Sequence, residues 1–225
     1  MTGSPTSSAT TSYRDGARAI APIAVAAAMF GASFGVLATA AGMEALPALT
    51  MSATTFAGSA QFAVASVLGA GGGVAAAVAA ATLLNARYAP ISVSVAPAFE
   101  GGSLRRLAES QLIVDESWAI SRRRDGRFDR RVLVGAGLVL YAAWVGGTAV
   151  GVLGGESLGD PAALGLDAAF PALFLALLVP QVRSRRALAA ALTGGAIALA
   201  LVPVAPEGIP IVAASAACLI GWGRR

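Results

Sequence analysis

The polar side chains best placed for chemistry lie in Met51–Phe62, inside an apolar run of about bilayer length. A membrane offers no water to such groups, so they must face protein, a water-filled cavity or a substrate. Gly58 within the stretch permits close backbone approach or a break in the helix. Two interpretations are open: a midplane substrate site of a transporter, or helix packing through small residues. The candidate site residues here are Ser52, Thr55, Phe56, Gly58, Ser59, Gln61 and Phe62.

A second candidate is the arginine within the third apolar run, in Asn85-Ala-Arg87-Tyr88-Ala-Pro90. An arginine at the centre of a membrane helix costs about 2.5–3.5 kcal/mol on insertion scales. Pro90 removes a backbone donor and is expected to kink or end the helix a turn earlier. Arg87 either extends from a helix end to the interface, or lines a cavity with Asn85 and holds a carboxylate there.

Three carboxylates complete the candidates, namely Asp115, Glu116 and Asp167. Asp115 and Glu116 are predicted to act as a cytoplasmic gate or proton acceptor, against the alternative of an ordinary solvated helix face. Asp167 has the simpler alternative of capping its helix, because a carboxylate is favourable near a helix N-terminus.

Some chemistries are excluded by composition. The chain has no histidine, which removes His-based metal sites, general bases and proton relays. Its one cysteine, Cys218, cannot form an intrachain disulfide or a thiolate cluster. We therefore expect no metal, no cofactor and no catalytic residues, and an intramembrane enzyme is disfavoured.

The elements that position these residues are predicted to be membrane helices. Hydrophobic residues make up 56% of the chain, charged residues make up 12%, and the mean hydropathy is +0.73. These values indicate an all-α integral membrane protein with about seven transmembrane helices, including broken ones. Residues 1–18 are predicted to be a disordered tail and residues 19–223 the transmembrane domain. The apolar runs cover about 19–41, 51–70, 74–96, 132–153, 166–182, 187–202 and 209–221.

The longest polar stretch, residues 99–131, is predicted to form a cytoplasmic amphipathic and basic loop near the membrane surface. Its arginines, those at 183–186 and the C-terminal pair all lie in the cytoplasm if seven spans begin outside, which leaves Arg14 and Arg18 misplaced. If the second run is instead re-entrant, six spans with both ends inside satisfy every cluster. The arginines indicate orientation more than nucleic-acid binding, and we expect no nucleic-acid partner.

A faint internal repeat suggests two halves of three helices, residues 19–96 and 132–202. An odd number of spans in each half would place the copies in opposite orientation, as in many secondary transporters. Gly58 and Pro171 would then be matching helix interruptions.

Four motifs in order resemble the AzlC family, the large subunits of branched-chain amino acid exporters. They are Ser52 with Phe56-Ala-Gly-Ser-Ala-Gln61-Phe62, Asn85-Ala-Arg87, Asp115-Glu116-Ser117 and Asp167-Ala-Ala-Phe-Pro-Ala-Leu-Phe174. The resemblance runs from about Gly16 to Pro203. It implies secondary, proton-driven export of valine, leucine, isoleucine and methionine across the bacterial cytoplasmic membrane. It also implies a small AzlD-type membrane subunit as partner.

One departure concerns the residue after the Asn-x-Arg arginine. It is often histidine in the family and is Tyr88 here, so proton coupling through that position does not carry over.

The residues predict how such a substrate is held. Arg87, or the donors around Ser52 and Ser59 at a broken helix, would receive the carboxylate. Gln61 or Asn85 would bind the ammonium through an amide oxygen. Phe56 and Phe62 would contact the side chain. The rival interpretation is a passive channel or scaffold subunit whose partner determines the substrate.

Overall fold

A computed structural model describes residues 11–154, 175, 178–179, 182–205 and 209–222 of the chain. The described part is built of helices, and short 3-10 helices cover Ala96–Ala98 and Ser215–Trp222. The α-helices are α1 (Tyr13–Ala40), α2 (Ala45–Thr55), α3 (Gly58–Gly69), α4 (Val74–Asn85), α5 (Tyr88–Val95), α6 (Ser103–Ser110), α7 (Asp115–Ser121), α8 (Arg130–Gly154), α9 (Arg185–Leu201) and α10 (Ile209–Ala214).

Helix α1 begins at Tyr13, six residues before the start of the predicted transmembrane domain. The Asp15 carboxylate accepts hydrogen bonds from the backbone N–H and the hydroxyl of Ser12, at 2.7 and 2.9 Å. These bonds occupy the two Ser12 donors at the start of the helix and place a negative charge at the positive end of the helix dipole. The predicted boundary of the disordered tail at residue 18 is therefore wrong for residues 13–18.

Helices α1 and α8 are in contact along their whole length through glycines. A Cβ on Gly35 would lie 2.7 Å from the Val152 nitrogen, and one on Gly151 would lie 2.8 Å from the Ala32 carbonyl carbon. Gly16 meets Val132 in the same way near the beginning of both helices. Contacts between early residues at one end and late residues at the other show that the two helices run parallel. Glycine is required because their backbones touch.

This parallel direction contradicts the predicted inverted repeat. Helices α1 and α8 would open the two halves, and inversion would make them run in opposite directions. Pro171, the proposed counterpart of Gly58, lies outside the described residues.

Helices α2 and α3 form a hairpin that enters and leaves at the same end of the α1–α8 pair. Gly69 at the end of α3 comes within reach of Ala41, just beyond the last residue of α1. The tip instead reaches the middle of α8, where the Phe56 ring lies 5.1 Å from that of Tyr141 and Gly58 meets Trp144. Below we call the end of the pair with Tyr13 and Arg130 the arginine-rich end, and the other the far end.

Three helical segments of the described residues are long and apolar enough to cross a membrane, namely Tyr13–Ala40, Val74–Ala98 and Arg130–Gly154. The second apolar run is the α2–α3 hairpin, which returns to the far end. A count of seven crossings therefore does not follow from the described residues. The run at 166–182 lies largely outside them, and α9 has 17 residues.

Helices α4 and α5 carry the chain from the far end to the arginine-rich end. Val95 at the end of α5 packs in a buried cluster with Leu133 and Val134 of early α8. At the other end of the described chain, Gly194 of α9 packs against Ala214 and Ala217, and α10 contacts α4.

The predicted surface loop at 99–131 is only partly a surface element. Leu104 and Leu107 of α6 are exposed, but Leu112, Ile113 and Val114 after it are buried. A Cβ on Gly137, about seven residues into α8, would lie 2.7 Å from the Leu112 Cβ atom. At a rise of 1.5 Å per residue, the connection between α6 and α7 thus lies about 10 Å from the start of α8.

A buried carboxylate ties this segment to the arginine-rich end. The Glu109 carboxylate accepts hydrogen bonds from Arg130, with Nε at 2.7 Å from Oε2, and from Arg105 Nε at 2.9 Å. Hydrogen bonds from Arg130 and Arg105 hold the pKa of Glu109 below its ordinary value near 4.5.

We expect Glu109→Gln to lower the free energy of unfolding at pH 7 by about 1–2 kcal/mol, the size of a charge-assisted hydrogen bond. A lowered folded pKa contributes stability above the unfolded pKa, and that stability is lost as the pH falls through the folded value. The difference from wild type should therefore shrink below about pH 4. Thermal midpoints of purified protein at pH 7 and below about pH 4 test this, with exposed Glu100→Gln as the control. Equal midpoints at pH 7 would contradict it.

Candidate functional site

The break between α2 and α3 lies at Phe56 and Ala57. Phe56 has φ 42° and ψ 48°, a left-handed conformation that a bulky residue rarely adopts, and Ala57 is extended. Such a residue stores strain of order 1–3 kcal/mol and persists where the surroundings fix it. The predicted break is therefore present, and Gly58 is the first residue of the second helix.

Side chains from other elements satisfy the backbone groups that the break leaves open. Gln111 Nε2 donates to the carbonyl oxygens of Ala53 and Thr54, at 3.3 and 2.8 Å. Tyr141 donates its hydroxyl to the Ala53 oxygen at 3.0 Å. These bonds replace the helical partners that the last carbonyls of α2 lack.

Gln61 performs the same task on the other side of the break. Its Oε1 accepts from the Ala57 N–H at 3.2 Å and from Trp144 Nε1 at 3.0 Å. The side chain is fully buried, and its Nε2 has no hydrogen-bond partner among the described residues. Both lone pairs of the oxygen are therefore engaged, which leaves an N–H donor as the open group.

Arg87 occupies the turn between α4 and α5, three residues before Pro90, as the proline predicts. Its Nε donates to Asp115 Oδ2 at 3.1 Å, and its Nη1 donates to Ser59 Oγ at 2.8 Å and to the Leu84 oxygen. Tyr88 contacts the same guanidinium, with its ring centroid 4.9 Å from Cζ. Arg87 lines a cavity, as one of the two interpretations of the sequence predicts, whereas Asn85, its predicted neighbour there, does not.

The ion pair between Arg87 and Asp115 is open to exchange. Their side chains are 36% and 45% exposed, and a pair so accessible to solvent is worth about 1 kcal/mol or less. A carboxylate from a ligand can therefore compete with Asp115 for the guanidinium at little cost.

A cavity of about 170 Å³ lies where these groups meet. The polar part of its wall holds Ser59, Arg87, Asp115 and Glu116, with Tyr88 beside them. The rest of the wall is apolar. It is formed by Ile23, Ala26, Ala27, Phe30, Phe56, Gly58, Phe62, Val114, Leu140 and Trp144.

Two carboxylates face one guanidinium in this cavity. Removal from water raises the pKa of the Glu116 carboxyl, and the neighbouring Asp115 carboxylate adds to the rise while Arg87 opposes it. Asp115 is the direct partner of Arg87. The Glu116 carboxyl thus takes up a proton more readily than an ordinary glutamate.

Some predicted residues lie elsewhere. Ser52 is fully buried and shares a 2.8 Å hydrogen bond with Thr148 of α8, which fixes the hairpin against that helix. Thr55 and Asn85 do not line the cavity, and the Asn85 Oδ1 atom is buried without a partner among the described residues. Asp167 lies outside the described residues. The predicted residues that the structure brings together are Phe56, Gly58, Ser59, Phe62, Arg87, Asp115 and Glu116.

Several cavity residues carried no usable signal in the sequence. Trp144 and Leu140 stand in an apolar helix whose glycines draw attention to packing, and Phe30 stands in another. Tyr88 is the exception, because its position directly after Arg87 marks it as a neighbour of the site.

Comparison with known proteins identifies the family to which the chain belongs. Residues 22–158 match the AzlC protein family, which is more than half of the chain, so the chain belongs to this family. Its resemblance to the family is thereby confirmed.

Two relatives match this chain over most of their length. An uncharacterized membrane protein of Archaeoglobus fulgidus is 34% identical over 212 residues, covering 89% of this chain and 90% of the archaeal protein. Inner membrane protein YgaZ of Escherichia coli is 26% identical over 210 residues, covering 86% and 84%. No solved structure matches. The relatives and the three long apolar helices make this chain a membrane protein.

Proposed function

We propose that the chain is the large subunit of a secondary transporter that exports valine, leucine, isoleucine and methionine across the bacterial inner membrane. A small AzlD-type membrane subunit is the proposed partner. The observation that carries this proposal is the cavity at the helix break, where Arg87 and two carboxylates stand beside an apolar wall.

The charges of the cavity match those of an amino acid zwitterion. The substrate carboxylate would replace Asp115 at the Arg87 guanidinium, which binds carboxylates through parallel hydrogen bonds. The first N–H groups of α3, at Gly58 and Ser59, add a helix N-terminus on the same side. Asp115, once released, and Glu116 would receive the ammonium. Since the Gln61 oxygen already accepts two hydrogen bonds, the carboxylates replace it in this role.

The apolar part of the wall supports the side-chain preference. A volume of about 170 Å³ holds several waters at roughly 30 Å³ each, or one small organic molecule. Phe56, Phe62 and Trp144 offer apolar surface and, except for the engaged Trp144 N–H, no polar group. A branched aliphatic side chain gains about 0.8 kcal/mol for each CH₂ group that it buries there.

The arginines support an orientation with the arginine-rich end in the cytoplasm. Arg14, Arg18 and the arginines of residues 105–131 lie at this end, whereas the loops of the far end at 41–44 and 70–73 contain none. With the α2–α3 hairpin re-entrant, the proposed topology has six crossings and both ends inside. The cavity then lies between a hairpin from the outer side and the α6–α7 segment from the inner side.

Efflux from dipeptide-loaded cells tests this function. We expect cells with the chain and its small subunit to release valine, leucine and isoleucine with saturation, and against an imposed gradient. Saturation with uphill transport distinguishes a transporter from a channel, whose flux follows the gradient. Cells with the chain alone give the contribution of the partner, and glutamate serves as the control solute. Efflux of branched-chain amino acids no faster than from empty-vector cells, at confirmed membrane levels of both subunits, would refute the proposal.

A further inference from the structure

The indole ring of Trp144 forms a rigid part of the cavity wall. Its centroid lies 5.9 Å from that of Phe62 at an interplanar angle of 79°, an edge-to-face contact that fixes both rings. Phe62 makes a similar contact with Phe34 at 5.9 Å. Trp144 is 8% exposed, and it lines the cavity. The ring contacts thus hold Trp144, the largest side chain of the wall, in place.

The first residue of α3 permits this position of the ring. A Cβ on Gly58 would lie 2.8 Å from the Trp144 Cη2 atom and 3.2 Å from Cζ3. The absence of a side chain there lets the indole lie directly against the start of the helix. The edge of the ring therefore contacts the first turn of α3, to which Ser59 of the cavity wall also belongs.

Gln61 fixes the ring from its other edge. The 3.0 Å hydrogen bond from Trp144 Nε1 ends on an oxygen that also accepts from the Ala57 N–H of the break. Because Gln61 is fully buried, its amide has no room to swing away. The tilt of the indole is thus coupled to the backbone of the break.

We propose that Trp144, positioned by Gln61, sets the upper limit on the size of the substrate side chain. This inference rests on the proposed function, because it assumes that the cavity binds an amino acid. The indole is part of the apolar wall, and in this proposal aliphatic side chains fit beside it whereas aromatic ones meet the ring. Trp144 is the specificity-determining residue, and Gln61 is a positioning residue that acts through it.

The first test compares substrates in dipeptide-loaded cells that express both subunits. We expect Trp144→Leu to raise the ratio of phenylalanine to valine efflux at least about tenfold, since even one methylene more or less in an apolar pocket discriminates by about 10–200-fold. Trp118→Leu is the matched control, because Trp118 lies in α7 and bonds Ser94 at 2.9 Å, away from the cavity. An unchanged ratio in Trp144→Leu, with valine efflux retained, would overturn the proposal.

The second test concerns Gln61. Gln61→Leu removes the acceptor and is expected to shift the same ratio in the same direction by about threefold to tenfold, since the freed ring can tilt away. Gln61→Glu keeps an acceptor oxygen for the Trp144 and Ala57 N–H groups and should restore the wild-type ratio. A packing role alone would lower the efflux of both substrates equally in Gln61→Leu, and that result would remove Gln61 from the proposal.

Fluorescence separates this inference from the proposed function. Trp118 and Trp222 are replaced by phenylalanine, as is any tryptophan of the small subunit, so that Trp144 is the only tryptophan of the complex. We expect leucine to shift or quench its emission in purified complex with the concentration dependence of transport. If wild-type complex binds radiolabelled leucine and the emission does not respond, the role of Trp144 is refuted while the function stands. If the complex binds no neutral amino acid, both fail.

Discussion

Arg87→Ala is expected to lower branched-chain amino acid efflux by about 10–100-fold at equal membrane levels. The loss of a charge-assisted contact to a substrate carboxylate costs about 1.5–3 kcal/mol, which corresponds to one to two powers of ten. Arg87→Lys should recover part of this loss, since an ammonium keeps the charge but cannot bond Ser59 and a substrate carboxylate with one planar fork. Initial efflux rates over a range of internal concentrations measure the effect.

A double variant distinguishes two roles of Arg87. If the guanidinium only neutralises Asp115, Arg87→Ala with Asp115→Ala should regain transport, because no unpaired carboxylate is left. If it binds substrate, the double variant stays as inactive as the single one, and we expect this result. Exposed Arg127→Ala is the control for loss of positive charge. Efflux within twofold of wild type in Arg87→Ala would leave the arginine without a role in transport.

Gly151→Leu is expected to destabilise the parallel pair of α1 and α8. Even the Cβ atom would overlap the Ala32 carbonyl, and backbone cannot yield as a flexible side chain does. Overpacking of this kind costs about 3 kcal/mol or more, which lowers the thermal midpoint of a chain of this size by about 6–12 °C. The fraction of monodisperse protein after detergent extraction should fall accordingly.

Gly146→Leu provides a control within the same helix. Among the described residues, no atom lies within 4 Å of a Cβ on Gly146, although the two glycines are five residues apart on α8. The same side chain therefore meets backbone of the described residues at Gly151 but not at Gly146. Equal thermal midpoints for the two variants would show that the glycine contact does not hold the pair together.

Much of the local structure follows from the sequence. The Gly31–Gly35 and Gly147–Gly151 faces are recognisable as close-packing motifs, and they contact each other's helices. Pro90 marks the end of α4, and the polar residues of Met51–Phe62 mark a break. These features depend on neighbours in the chain, so spacing and residue type are sufficient to find them.

The sequence alone does not show that the second apolar run turns back. A run of about twenty apolar residues has the same composition whether it crosses or turns back. The turn occurs at Phe56, and no glycine or proline at this position indicates a left-handed conformation. It is stabilised by Gln111 and Tyr141, which lie more than fifty residues further along the chain. Trp144 escaped prediction for the same reason, since its contact with Gln61 spans 83 residues.

The separation of these partners along the chain also sets an order of events during synthesis. Ser52 bonds Thr148 of α8, 96 residues later, and the break depends on Tyr141 of the same helix. At about 5–20 residues per second, the ribosome needs about 5–20 s to make the residues between them. During this interval the polar groups of the hairpin tip lack their final partners while α1 is already made. The nascent hairpin must therefore wait outside the lipid core, in the insertion machinery or at the interface, until α8 arrives.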